Sequence, residues 1–240
     1  MIDAQNTPRY AIYYSPPAGH ALTRAASCWL GRDPFTGKTV SRMDVPGHDF
    51  REILSEPRRY GFHATLKAPF RLASNVSLDE LEEALDDFAT ATSPCPLGKL
   101  RLELLGDFFA LIPFQQGTRL TELSAKVVET FDRFRAPLAQ HEIDRRLSRP
   151  LDRIERENVM LWGYPYVFDR FLFHLTLTGA VPSGWQESVR HEVHRAFSQL
   201  LDEEYSIDAL TLFVQEDVRA NFVVRSSFPL SGLAKERRNV

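Results

Sequence analysis

Two short stretches carry the same chemistry-bearing residues in the same order. FHATL runs from Phe62 to Leu66, and FHLTL from Phe173 to Leu177. Each places a histidine and a threonine two residues apart among apolar neighbours. Successive side chains of a strand point to opposite faces, so His63 shares a face with Thr65 and Lys67, and His174 with Thr176. Phe62, Ala64 and Leu66 fall on the opposite face of the first strand. Phe171, Phe173, Leu175 and Leu177 do the same in the second. An imidazole titrates near pH ~6.5, so two of them facing one cleft suit general acid–base work. One takes a proton from a nucleophile while the other protonates a leaving oxygen. A threonine hydroxyl one pleat along can donate to a nonbridging phosphoryl oxygen, where negative charge needs stabilising. Two His and two Thr therefore suit a phosphodiester site that calls for no metal and no cofactor. No nearby cluster of Asp, Glu or Cys supplies the usual metal ligands.

The elements that must position these residues also come twice. RYAIYYS, from Arg9 to Ser15, reads as a strand stopped by Pro16 and Pro17, and Leu22–Leu30 as a short helix ending at Gly31. Residues 32–58 read mostly as loop, being punctuated by Pro, Gly and Asp. After the first His-x-Thr strand, Ser77 and Glu80 fit a capping box that opens a helix. LRLELLGDFFALIPF then reads as a hairpin turning at Gly106-Asp107, followed by a helix over about Leu120–Phe134. After the second strand, Ser183 and Gln186 form another capping-box pattern, opening a helix through Leu201. Hairpin strands follow near Ala209–Gln215 and Asn221–Ser227. The expected fold class is α+β: two pseudo-symmetric lobes, each an antiparallel sheet with helices on its outer face, enclosing a central cleft. Residues 1–235 form one bilobal domain, with repeat units at about 60–134 and 170–230. The join, about 135–160, is rich in Arg and Glu and reads as a solvated connection.

Composition fits this reading. The 240 residues are 43% hydrophobic and 25% charged, which allows a sizeable core. The net charge of −3 gives no global attraction to nucleic acid or anionic membrane, so an anion must be held locally. The polar start MIDAQNTPRY has no apolar signal-peptide core, and no apolar run approaches a bilayer span. Cys28 and Cys95 form no CxxC, as in a cytoplasmic chain with ordinary thiols.

On these motifs the chain resembles the 2H phosphoesterase superfamily. RYGFHATLKAPF, WLGRDPFTG and WGYPYVFDRFLFHLTLTG are similar to the bacterial branch named for phosphonate metabolism. The resemblance covers nearly the whole chain. It implies the bilobal fold, a central cleft, and phosphodiester or cyclic-phosphate chemistry with His63, Thr65, His174 and Thr176 as the site. The expected partner is a small phosphodiester taken by a monomer. A noncatalytic nucleotide or phosphosugar module, or an enzyme acting on RNA ends, is the alternative.

Other residues divide between function and packing. Lys67 could hold a phosphate as a point charge; a solvated strand-end lysine is the plain account. Tyr166 is the aromatic chosen to contact substrate, ahead of Tyr164, Tyr13 and Tyr14, whose commoner fate is packing. His191 and His194 fall off their helix's apolar stripe and read as solvent-exposed rather than metal-binding. His20, His48 and His141 are assigned nothing. The arginines from Arg145 to Arg156 could cover an anion, though a charged connector explains them more simply.

Overall fold

The computed structural model describes residues 7–42 and 50–233. His48 lies outside them. In chain order the elements are β1 (Arg9–Tyr14), α1 (Ala21–Leu30), α2 (Arg51–Tyr60), β2 (Ala64–Phe70), α3 (Leu78–Ala91), β3 (Cys95–Gly98), β4 (Leu100–Leu105) and β5 (Phe108–Pro113). Then come α4 (Thr118–Phe131), α5 (Gln140–Leu147), α6 (Arg153–Trp162), β6 (Leu175–Thr176), α7 (Gln186–Phe197), β7 (Tyr205–Ile207), β8 (Ala209–Gln215) and β9 (Val223–Pro229). The fold is α+β with antiparallel sheets.

Local chemistry explains most of the boundaries. Gly31 takes the left-handed conformation that ends α1, where only glycine is unstrained. At the start of α3 the Ser77 hydroxyl accepts from the Glu80 N–H, while the Glu80 carboxylate accepts from the Ser77 N–H. The β4–β5 hairpin closes through Gly106-Asp107, with Leu105 opposite Phe108. The second capping box does not form. Ser183–Trp185 is a 3₁₀ turn and the helix starts only at Gln186, too late for Gln186 to reach back as a third helical residue. Its amide donates instead to the Val181 carbonyl.

The stretch expected to be mostly loop contains α2. Ile53, Leu54 and Pro57 form its buried face. Pro57 has no N–H to give the Ile53 carbonyl one turn back, which is why it reads as a breaker. Here the Gly179 N–H donates to that carbonyl. A side chain at Gly179 would start 3.1 Å from the Ile53 oxygen, so the close approach favours glycine. One missing backbone donor thus joins α2 to the segment just past the second His-x-Thr motif.

The sheets overturn the expectation that each repeat builds its own. The larger runs β2-β1-β8-β9, so the first His-x-Thr strand lies with the second hairpin. The smaller runs β4-β5-β6, so the second His-x-Thr strand lies against the first hairpin. Strands β3 and β7, again one from each half, form a two-stranded ribbon. Strand exchange puts most of the apolar surface into one continuous core. It includes Leu66 and Leu212 of the larger sheet, Leu111 and Leu175 of the smaller, and Leu85, Val127 and Val193 from helices. Helix α3 packs on β8 and β9, and α4 on β2. The Trp29 indole N–H donates to the Leu177 carbonyl at 2.9 Å, tying α1 to the far strand. The opposite face of the larger sheet carries a small cluster of Ala11, Tyr13, Phe213 and Phe222.

A fragment of residues 7–134 holds one whole repeat but lacks β8, the second neighbour of β1. It is expected to remain unfolded, with collapsed amide proton dispersion by NMR. A folded fragment would mean that the repeats are independent after all.

Candidate active site

The turn ahead of β2 positions His63. Gly61 caps α2 with φ 80° and ψ 169°, a region essentially reserved for glycine. Arg32, almost wholly buried, donates from Nε to the Arg58 carbonyl at 2.7 Å and from Nη2 to the Arg59 carbonyl at 3.0 Å. The Ser15 hydroxyl donates to the Phe62 carbonyl at 2.9 Å. On this clamped turn the His63 Nδ1 lies 2.8 Å from the Gly61 carbonyl oxygen. A carbonyl only accepts, so Nδ1 carries the proton and Nε2 presents a lone pair. Thr65 Oγ1 lies 3.3 Å from that Nε2. Tyr13, opposite Thr65 on β1, stacks flat against the imidazole, with centroids 3.8 Å apart and planes 21° from parallel.

The second motif repeats the device. His174 Nδ1 lies 2.8 Å from the carbonyl of Leu172, again two residues back. Its ring sits 5.8 Å from that of Phe108. Thr176 pairs with Ala110 on β5. Thr178 shares the His174 face, but its hydroxyl is occupied in accepting from the Phe109 N–H.

Both motifs open on one cleft of ≈ 530 Å³, within the usual range for small-ligand sites. His63, Thr65, Phe108, Thr176 and Thr178 line it. His174 is not among the lining residues; its ring neighbours that of Phe108, which is, and it is close enough to depress the basicity of His63. Three arginines from the supposed connector, Arg145, Arg146 and Arg149, also line it, together with Arg9 and Arg59. The connector is therefore a wall of the cleft. Sequence offered the charge run but no means of seeing where it lands.

Two site assignments are corrected. Lys67 does not share the face of His63. Ile12 is opposite Lys67 and Tyr13 opposite Thr65, so a β-bulge at Leu66 breaks the alternation. Lys67 turns into the protein, 4% exposed, with Nζ 3.0 Å from Asp132 and 3.2 Å from the Val128 carbonyl. It bolts β2 to the end of α4. Tyr166 is not among the lining residues; Tyr164 is, and Tyr166 stands edge-on to it at 5.5 Å with its own ring exposed. Pro165 separates the two tyrosines, so strand parity has no hold there. Tyr13, read as a packing residue, backs His63, whereas Tyr14 lies in the main core near Phe173. His191 and His194 are exposed, and His20 caps α1 by accepting from the Leu22 N–H.

The chain is similar to several known proteins. The profile described as "Protein of unknown function (DUF1045)" matches residues 65–223, about two thirds of the chain. The chain belongs to this family. Curated proteins of similar sequence carry the name ribose 1,5-bisphosphate phosphokinase PhnN. The one from Janthinobacterium sp. (strain Marseille) is 32% identical over 238 residues, which cover 96% of this chain and 52% of that protein. The one from Laribacter hongkongensis (strain HLHK9) is 30% identical over 219 residues, which cover 89% and 50%. The chain thus spans about half the length of the curated relatives it matches. Solved structures with some similarity include E. coli LigT complexed with 3′-AMP, with TM-score 0.46 and 14% identity over 93% of this chain and 98% of that one. A structure titled phosphoesterase has TM-score 0.41 and 12% identity over 94% and 99%.

In this member of the DUF1045 family both imidazoles are hard to protonate. Burial pushes His63 down to about 4; the Gly61 bond offsets part of this, while His174 and Arg32 add to it. Burial likewise lowers His174, and its Leu172 bond opposes the shift. Both shifts favour the neutral form of the rings at neutral pH. Among the described residues no group of three His, Cys, Asp or Glu side chains is placed to hold a metal. No described helix is long and apolar enough to cross a membrane.

The turn that aims His63 can be tested by Gly61→Ala. The new methyl would start 2.6 Å from the Pro34 Cβ at a backbone angle only glycine tolerates well. Stability is expected to fall by about 1–3 kcal/mol in denaturant titration. Gly106→Ala, which meets nothing within 4 Å, is expected to cost less. Equal losses would show that the turn is not under this constraint.

Proposed function

We propose that the chain is a metal-independent phosphoesterase that hydrolyses a small cyclic phosphodiester. The observation that carries this reading is the paired device: two histidines, distant in sequence, each held through Nδ1 by the carbonyl two residues back. His63 and Thr65 of one motif and Thr176 of the other line the same arginine-walled cleft. Placement of Nε2 as the free nitrogen in both gives each ring the lone pair or the proton that acid–base chemistry needs.

The two rings differ enough to divide the work. His63 is the more enclosed and has a tyrosine at its back, so it stays neutral and acts as base. It takes a proton from water through Nε2 as the water oxygen bonds to phosphorus. The phosphorus–oxygen bond of the ring breaks, and His174, protonated beside the anionic substrate, gives its Nε2 proton to the leaving oxygen. Cyclic diester and water become a phosphomonoester with one free hydroxyl. The Thr65 and Thr176 hydroxyls donate to the nonbridging oxygens, where charge builds.

The cleft volume favours a small ligand over an RNA channel. The PhnN-named relatives suggest phosphorylated ribose as the chemical setting, and the resemblance to the phosphonate branch suggests the same pathway. A cyclic phosphate of a phosphosugar or of a nucleoside is the substrate class. The kinase part of those relatives is not the part proposed for this chain. GRDPFTGKT, from Gly31 to Thr39, has one residue too many between its glycines for a phosphate-cradling loop. It also follows a helix instead of a strand.

Purified protein with EDTA, assayed on nucleoside 2′,3′-cyclic and ribosyl 1,2-cyclic phosphates, tests the reading. His63→Ala and His174→Ala are each expected to lower turnover by about 10²-fold or more. Because both imidazoles sit below their usual value, the kcat/KM profile should be bell-shaped and displaced to acid. It falls below about pH 4 as His63 takes up a proton. It falls again on the alkaline side, starting below the usual ~6.5, as His174 loses its own. Full activity in either variant would sink the assignment.

A further inference from the structure

We propose that the arginine wall of the cleft is a second phosphate site, so that the substrate carries a phosphomonoester besides its scissile cyclic phosphodiester. This rests on the hydrolase reading above and deepens it. Arg145 and Arg146 occupy the last turn of α5, and Arg149 follows it. All three line the cleft, as do Arg9 from β1 and Arg59 from α2. Among the described residues no carboxylate lies within ion-pair distance of Arg145, Arg146 or Arg149. Arg9 gives its Nε to the Gln215 side chain, and Arg59 stands 3.4 Å from Glu56, the carboxylate on the lining.

Cations in the last turn of a helix are often explained by its carbonyl ends. That account covers Arg145. It does not cover Arg146, whose Nη1 is buried without any hydrogen-bond partner. A buried donor left unpaired costs about 1–3 kcal/mol, and a charged one more. Nor does it explain why Arg149, beyond the helix, turns to the same cavity. Guanidinium forks present paired donors that match phosphate oxygens, and several of them together suit a dianionic phosphomonoester.

This charge is separate from the histidine pair. The charges acting most on His63 are His174 and Arg32, and neither belongs to the arginine wall. Those acting most on Arg146 are Glu142, Arg145 and Arg9. Glu142 is itself engaged by Arg71 at 2.8 Å and leaves the wall positive. One cleft therefore holds two anion-seeking centres, one with proton-transfer groups and one without. A small sugar bearing two phosphoryl groups is the ligand chemistry that satisfies both.

Matched substrate pairs test the second site: adenosine 2′,3′-cyclic phosphate with and without a 5′-phosphate, and ribose 1,2-cyclic phosphate with and without a 5-phosphate. The 5-phosphorylated member of the hydrolysed pair is expected to have a kcat/KM higher by about tenfold or more. Arg149→Ala, at an exposed position that leaves folding undisturbed, and Arg145→Ala/Arg149→Ala should shrink that ratio stepwise toward one. A wild-type ratio near one, or a ratio that survives both variants, overturns the proposal. Should no cyclic phosphate be hydrolysed, the hydrolase reading fails, and calorimetry with ribose 5-phosphate then decides the second site. Binding to wild type that weakens about tenfold or more in the double variant upholds it; equal binding, or none to wild type, overturns it.

Discussion

Each histidine is fixed by a hydrogen bond to its own backbone. An imidazole just ahead of a strand, as His63 is ahead of β2 and His174 of β6, has two nitrogens and several rotamers, and nothing in the strand itself decides which nitrogen faces outward. The carbonyls of Gly61 and Leu172 decide it, each 2.8 Å from the Nδ1 two residues on. Nε2 is then the free nitrogen in both rings. The bond also opposes the loss of basicity that burial causes in both rings. Around His63 the structure reinforces the arrangement. Arg32 holds the carbonyls of Arg58 and Arg59, Gly61 takes a conformation few residues can, and Tyr13 presses flat on the ring.

Residues of both motifs line one cleft because the halves of the chain exchange strands. β2 lies beside β1, next to β8 and β9 from the second half, and β6 joins β4 and β5 from the first. Neither sheet exists without the other half, so the cleft is anchored on both sides by a shared core. The contact between Gly179 and the Ile53 carbonyl is a smaller instance of the same mutual dependence. A helix interrupted by proline is completed by the segment that ends the second motif. Both residues' neighbourhoods reach the cleft, through Glu56 and Pro57 on one side and Gly179 and Ala180 on the other.

Much of this was legible in the sequence, for identifiable reasons. The His-x-Thr strands, the Ser77 box, the Gly106-Asp107 hairpin and the Gly31 stop are local signals whose chemistry acts within a few residues. What failed was non-local or depended on broken regularity. Lys67 was placed by strand alternation, which a bulge at Leu66 cancels. α2 was hidden because Pro57 removes a donor that a residue far along the chain replaces. Strand exchange leaves no mark on either repeat, since both orders bury the same apolar faces. The Arg145–Arg149 cluster reads as a solvated connector, because charge spacing along a chain does not say which cavity it meets. Tyr164 and Tyr166 straddle Pro165, where neither helical nor strand periodicity applies.

The central claim is that both imidazoles are held with Nδ1 protonated and Nε2 exposed to a common cleft. Long-range ¹H–¹⁵N NMR of the histidine rings at neutral pH tests it most directly. The account predicts that the His63 and His174 resonances show the Nδ1–H tautomer, and that both Nε2 signals shift when inorganic phosphate is added. An Nε2–H tautomer for either ring, or a phosphate response confined to one of them, would contradict it.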